Sequence, residues 1–123
     1  MTVIVTEPIP NRNEFLQLLK INPGKIIFKF GAEWCVPCKK IESHVHNWFT
    51  QMPETSLCYV VDVDDSFDVA AFLKIKKVVV SYPTLLCYNK GNNEFYPDDT
   101  VVGADINQID LFFKRCLDND RKH

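Results

Sequence analysis

The amino-acid sequence predicts an α/β fold of three layers, α/β/α, with helices on both faces of a central mixed β-sheet. Two observations support this prediction. Short apolar runs alternate with helical patterns over the first two thirds of the chain, and the last third holds a hairpin turn, "NKGNN", before a final amphipathic helix. The predicted order of elements is βαβαβαββα. The 123 residues form one predicted domain, 1–123, with no internal repeat or linker.

The first two predicted strands flank a short helix. The run "TVIV" is typical of a β-branched strand, and "NRNEFLQLLK" places Phe15, Leu18 and Leu19 on one helical face, with Asn11 or Asn13 as its cap. The run "KIIFKF" is apolar almost throughout, as in strands that are covered on both faces. We therefore expect this strand to be buried on both sides.

The second helix is predicted to begin beside a pair of cysteines. Polar residues separate apolar side chains that recur at helical spacing, namely Ile41, Val45, Trp48 and Phe49. Pro37 suits the first turn of a helix, where a missing N–H costs nothing. Cys35 and Cys38 are thus predicted at the junction between a buried strand and a helix N-terminus.

The second half of the chain predicts the remaining elements. The run "SLCYVVDVD" predicts a strand, and Ser66 is expected to cap the following helix. The run "VVVSYPTLLCY" predicts strand residues interrupted by Pro83, and "EFYPDDTVVG" predicts the strand that returns from the hairpin turn, with "YPDD" as a bend. Asp105 is expected to cap the last helix, and residues 118–123 are expected to form a frayed tail.

Composition excludes several classes of protein. The formal net charge of -2 gives no electrostatic basis for binding nucleic acid. The longest apolar runs fall far short of the ~20 residues that span a bilayer, and the first residues lack the pattern of a secretory signal. No glycine-rich phosphate loop or flavin signature is present, so no cofactor is expected.

The five cysteines favour a reducing compartment, and we expect a cytoplasmic protein. An odd number argues against a secreted disulfide framework. Cys58, Cys87 and Cys116 each lie within an apolar pattern and are expected to pack in the core. Regulation by oxidation is the alternative if any of these three thiols is exposed.

The Cys35–Cys38 spacing indicates redox chemistry. A thiolate attacks a disulfide, and the partial positive charge at a helix N-terminus lowers the pKa of a nearby thiol. The first cysteine would feel that charge where its side chain reaches solvent, and the second would lie one turn further in. Closing so small a ring constrains the unfolded chain little, so the pair is poorly suited to stabilising the fold.

The segment "FGAEWCVPCKK" resembles the active site of thioredoxins, and "VDVDD", "YPTLLCYNKG" and "VVGA" resemble three further landmarks of that family in the same order. The resemblance covers most of the chain and implies the thioredoxin fold. It also implies an enzyme that reduces protein disulfides by dithiol–disulfide exchange, in electron transport and cell redox homeostasis. Its partners would be disulfide-containing proteins, with electrons supplied by a separate reductase or a small thiol, and the chain would be a monomer.

The resemblance also implies roles for individual residues. Cys35 would be the nucleophile and Cys38 the resolving thiol. Pro83 would be the family's cis-proline beside the cysteines, which leaves the backbone of Tyr82 free to pair with an extended substrate. The predicted substrate surface comprises Trp34, Val36, Pro37, Tyr82, Pro83 and Gly103.

Lys29 departs from the family pattern, because thioredoxins usually carry a buried acid six residues before the first cysteine, where it helps move the proton of the resolving cysteine. A nearby ammonium favours a thiolate. Lys29 would then lower the pKa of Cys35 and make the disulfide more oxidising, which suggests an oxidase or isomerase as an alternative. In the other interpretation, Lys29 extends into solvent and leaves the thiols unaffected.

Further departures keep two other functions open. Val36 replaces the glycine between the cysteines, Ser43 replaces a helix-kinking proline, and "FLKIKKVVVSYP" is longer than usual. One alternative is a binding module that captures partners without turnover. The other is a zinc site built from the C-x2-C-x5-H-x-H cluster, although His44 and His46 are predicted to be solvated on different faces of a helix. His123 lies in the predicted tail.

Overall fold

Five strands form one mixed sheet in the order β1-β3-β2-β4-β5, in a computed structural model that describes residues 2–121. The strands are β1 (Val3–Val5), β2 (Lys25–Gly31), β3 (Ser56–Asp62), β4 (Thr84–Asn89) and β5 (Asp99–Val102). The helices are α1 (Arg12–Lys20), α2 (Val36–Gln51), α3 (Phe67–Ile75) and α4 (Ile106–Arg121). The order of elements confirms the predicted βαβαβαββα.

The central strand, β2, pairs in parallel with β3 and antiparallel with β4. Its first six residues are buried, as its apolar sequence predicted. Alternate side chains enter different layers, because successive residues of a strand point to opposite faces. Phe28 packs in the layer with α1 and α3, whereas Ile27 packs in the layer with α2 and α4.

Two of the three predicted helix caps are confirmed. Asn11 accepts a hydrogen bond from the N–H of Glu14 at 2.9 Å, and Asp105 accepts one from the N–H of Asn107 at 2.9 Å. Ser66 precedes α3 but makes no side-chain cap. Its hydroxyl instead accepts the N–H of buried Ile9 at 2.9 Å, because a buried backbone donor must find a partner.

The segment before Pro83 is not a strand, so this part of the prediction is wrong. The N–H groups of Val78 and Val79 donate to the carbonyl oxygen of Leu73, at 2.8 and 3.2 Å, and thereby close the end of α3. The sheet resumes only at Thr84. The returning strand is likewise limited to Asp99–Val102, after an irregular stretch.

The end of the chain also differs from the prediction. Helix α4 continues to Arg121, so residues 118–121 are helical rather than frayed. Residues 122 and 123, including the predicted tail position of His123, lie outside the described part of the chain. None of the helices found between residues 2 and 121 is both long and apolar enough to cross a bilayer.

Helices α2 and α4 are joined by a small polar and aromatic network. Trp48 stacks on Phe113 with ring centroids 5.2 Å apart, and its indole N–H donates to Asp110 at 2.8 Å. His44 Nε2 lies 2.6 Å from the same carboxylate oxygen, so His44 is not the freely solvated side chain that was predicted. The hydrogen bonds from Trp48 and His44 hold the pKa of Asp110 below its usual value.

Candidate functional site

The two cysteines lie where the central strand passes into α2. Cys35 occupies the N-cap position, and its Sγ accepts the N–H of Cys38 at 3.2 Å. Pro37 lies in the first turn, as predicted. Cys35 and Cys38 are joined by a disulfide. The sulfur of Cys35 thus receives a backbone donor at the end of the helix where the dipole is positive.

A second loop reaches the disulfide from the start of β4. The peptide bond between Tyr82 and Pro83 is cis, as the resemblance implied. Cys35 Sγ lies 3.8 Å from the carbonyl oxygen of Tyr82. Gly103 donates its N–H to the carbonyl oxygen of Pro83 at 2.8 Å, and its φ of +97° favours glycine. The structure therefore brings Tyr82, Pro83 and Gly103 together beside Cys35.

Trp34 forms an exposed rim of the site, with 65% of its surface accessible. Its indole N–H donates to Asp64 at 3.0 Å, and its ring meets Tyr82 edge-on with centroids 6.2 Å apart. Asp62 accepts the N–H of Asp64 at 2.8 Å, which holds the turn that carries this contact. The acidic run after β3 therefore orients Trp34, a role that sequence reasoning did not assign to it.

The apolar surface around the disulfide includes Val36, which is 62% exposed. Pro37 is also exposed, one position along α2. Val80 is 62% exposed in the segment that leads to Pro83. Isolated exposed apolar side chains need no explanation, but exposed Trp34, Val36 and Pro37 directly beside the cysteines suit a docking surface.

Both cysteines are buried, with 5% of each residue exposed. This differs from the prediction that the first cysteine reaches solvent, because the Tyr82–Pro83 loop lies against Cys35. The two sulfur atoms lie against different parts of the structure. Cys35 Sγ lies against the carbonyl oxygen of Tyr82, whereas Cys38 Sγ lies over Gly31, where an added Cβ would be only 3.3 Å from the sulfur.

Behind the disulfide, Lys29 and Cys38 line one cavity of about 340 Å³. Lys29 is only 6% exposed, so the interpretation in which its side chain extends into solvent is wrong. Burial lowers the pKa of Lys29, and the carboxylate of Glu42 partly offsets that shift. The sequence revealed Lys29 as unusual but gave no signal that Glu42 is its neighbour.

The other three cysteines are free thiols in the core, as predicted. Burial, more than the neighbouring Cys87, raises the pKa of Cys58 to about 12. A hydrogen bond with Cys116, together with burial, raises the pKa of Cys87 above its usual range. Cys58 and Cys87 are therefore poor nucleophiles in the folded protein, and Cys116 is fully buried.

Residues 2–121 contain no group of three or more His, Cys, Asp or Glu side chains that could hold a metal ion. The alternative zinc site therefore has no ligand set in this part of the chain. The two candidate cysteines are bonded to each other, and His44 is directed at Asp110 on α4. His46 is exposed, as predicted.

A disulfide of two nearby cysteines at a helix N-terminus, on this mixed sheet, defines the class as a thiol–disulfide oxidoreductase. A family model described as Thioredoxin matches residues 7–114. The chain therefore belongs to the thioredoxin family and has its fold, as the sequence predicted.

Individual relatives agree with this assignment. The chain is 35% identical to Thioredoxin 3 of Plasmodium falciparum over 96 residues, which are 77% of this chain and 50% of that protein. It is 31% identical to a thioredoxin of Equus caballus over 114 residues, covering 92% of this chain and 100% of the relative. The chain thus spans half the length of the first relative and the full length of the second.

Solved structures show the same fold. The crystal structure of a Plasmodium falciparum thioredoxin superimposes with a TM-score of 0.67 at 28% identity, covering 91% of this chain and 87% of that one. A Fasciola hepatica thioredoxin superimposes with a TM-score of 0.70 at 26% identity, covering 89% and 97%.

Burial of the three free thiols predicts how the oxidised protein reacts with iodoacetamide. The folded oxidised protein should take up no label, because its other two cysteines are in the disulfide. Unfolding in guanidinium should expose Cys58, Cys87 and Cys116 to labelling, and added reductant should then expose Cys35 and Cys38. Mass spectrometry counts the labels, and a label on the folded oxidised protein would contradict the buried arrangement.

Proposed function

We propose that this single domain, residues 1–123, reduces protein disulfides, with Cys35 as the nucleophile and Cys38 as the resolving thiol. The observation that carries the proposal is the position of Cys35 Sγ. It accepts a helix N-terminal N–H and lies beside the carbonyl oxygen of Tyr82, at the loop that a substrate would meet. The N–H favours the thiolate over the thiol, as nucleophilic attack requires.

The reaction proceeds by two exchanges. In the reduced protein, the Cys35 thiolate attacks one sulfur of the substrate disulfide, and the other substrate sulfur leaves as a thiolate and takes up a proton. Cys38 then loses its proton and attacks Cys35 Sγ, which releases the second substrate thiolate. The substrate gains two electrons and two protons, and the Cys35–Cys38 disulfide forms.

The substrate surface consists of Trp34, Val36, Pro37, Tyr82, Pro83 and Gly103. The backbone of Tyr82 precedes β4, so an extended segment of a partner protein can pair with it as a short added strand. Trp34 and Val36 offer exposed apolar area on either side of Cys35.

Regeneration requires an external donor, either a separate reductase or a small thiol, and no bound cofactor. In both half-reactions the electrons pass by exchange between a dithiol and a disulfide. The chain thus serves electron transport from the donor to the substrate. The three free thiols support action in a reducing compartment such as the cytoplasm. We propose that the protein works there as a monomer.

Removing the resolving thiol provides the main test. Cys38→Ser should still attack a disulfide through Cys35 but should accumulate as a mixed disulfide with the substrate, whereas Cys35→Ser should form none. Wild type should reduce insulin repeatedly with dithiothreitol as donor. Non-reducing electrophoresis and insulin precipitation measure these outcomes. A wild type that binds but does not turn over would favour the binding module.

Trp34→Ala should slow the reduction of insulin by roughly tenfold, because an exposed aromatic side chain that a partner covers contributes on the order of 1–3 kcal/mol. Reduction of a small disulfide should change little, since it does not reach the rim. Tyr96→Ala is the matched control, because Tyr96 is 58% exposed but follows the far end of β4. Equal losses for both variants would contradict this role of Trp34.

A further inference from the structure

The register between β2 and α2 brings Lys29 and Glu42 behind Cys38. Cys38 Sγ lies over Gly31. Lys29 precedes Gly31 by two residues on β2, a distance of about 6.6 Å along the strand, and lies on the same face as Gly31. Glu42 follows Cys38 by one turn of α2, a distance of about 6 Å along the helix, and lies on the same face as Cys38. The helix of a βαβ unit runs antiparallel to its strands. Lys29 on β2 and Glu42 on α2 therefore lie opposite each other.

The next step along both elements supports this register. Ile27 lies one step beyond Lys29 on β2, and Val45 lies one turn beyond Glu42 on α2. Ile27 and Val45 pack in one cluster of buried side chains. Lys29, Cys38 and Glu42 line the cavity of about 340 Å³, which residues of β3 and of the segment after β1 also line. Cys35 is not among the residues that line this cavity.

The charged side chains around Lys29 come from α2, from the end of β3 and from the loops beside them. The residues that line its two adjoining cavities include Glu33, Lys39, Glu42, His46, Asp62 and Asp65. Among these, the Glu42 carboxylate acts most strongly on Lys29 and opposes the effect of burial on its pKa. A buried ammonium is costly without such a partner.

We propose that the Lys29 ammonium stabilises the thiolate of Cys38, and that Glu42 is a positioning residue that keeps Lys29 charged in the cavity. The proposal rests on the proposed function, because it concerns the second of the two exchanges. It assigns Lys29 to the resolving cysteine, whereas the sequence alone suggested an effect on Cys35.

In this step, the Cys38 thiol releases its proton to water through the open side of the cavity. The thiolate forms beside the Lys29 ammonium and attacks Cys35 Sγ. The bond between Cys35 and the substrate sulfur breaks, and the substrate leaves as a thiolate that takes up a proton. The two electrons pass to the substrate, and Lys29 keeps its proton throughout.

Single-turnover kinetics separate the two exchanges. Reduced protein in excess is mixed with dithiobis(nitrobenzoate), whose coloured thiol is released once on attack by Cys35 and once on resolution by Cys38. Lys29→Met should slow the second phase by about tenfold or more near pH 7, because a change of one unit in the pKa of Cys38 changes its thiolate fraction tenfold. The first phase should stay within about twofold.

Two further variants test the charge itself. Lys29→Arg keeps a positive charge and should retain the second phase within about threefold. Glu42→Gln should follow wild type near pH 6 and fall below it as the pH rises, because Lys29 loses its proton earlier without the neighbouring carboxylate. Lys40→Met, an exposed change on α2, is the matched control for both phases.

The outcomes distinguish this inference from the proposed function. If wild type shows no first phase, the proposed function fails. If both phases are present and Lys29→Met leaves the second unchanged in a protein with native circular dichroism, the inference alone fails. It also fails if Lys29→Arg is as slow as Lys29→Met, or if Lys29→Met slows the first phase as much as the second.

Discussion

The close approach of α2 to the end of β2 is the constraint on which the rest of the site depends. Gly31 has no side chain, and a Cβ added to it would lie only 3.3 Å from Cys38 Sγ. This contact sets the register of the helix on the sheet. It places Cys35 at the N-cap, directs its sulfur toward Tyr82, and leaves a cavity behind Cys38 that Lys29 and Glu42 line.

The disulfide therefore has two different sides. On the substrate side, Cys35 lies beside the carbonyl oxygen of Tyr82, and the exposed Trp34 before it is oriented by Asp64. On the inner side, Cys38 meets a polar cavity that contains a buried lysine. Attack and resolution can thus be tuned separately, the first by the helix N-terminus and the second by a fixed charge.

Most of this fold follows from local patterns in the sequence. The apolar run of β2, the cap at Asp105 and the cysteines before an amphipathic helix were all predicted. The errors arose where hydrogen bonds that periodicity does not encode decide the outcome, one of them long-range and the other local to a helix end. Ser66 bonds to Ile9 instead of capping α3, and the valines before Pro83 close α3 instead of forming a strand. Glu42 was missed because its proximity to Lys29 depends on the helix–strand register.

The equilibrium reduction potential of the Cys35–Cys38 pair decides whether the protein reduces disulfides or oxidises them. Thiol trapping across a series of dithiothreitol or glutathione buffers measures it. A protein-disulfide reductase should have a reduction potential near that of thioredoxin, which is about -270 mV. The potential should in any case be more negative than about -230 mV. A value of about -180 mV or higher would contradict the account, because the pair would then oxidise or isomerise disulfides in place of reducing them.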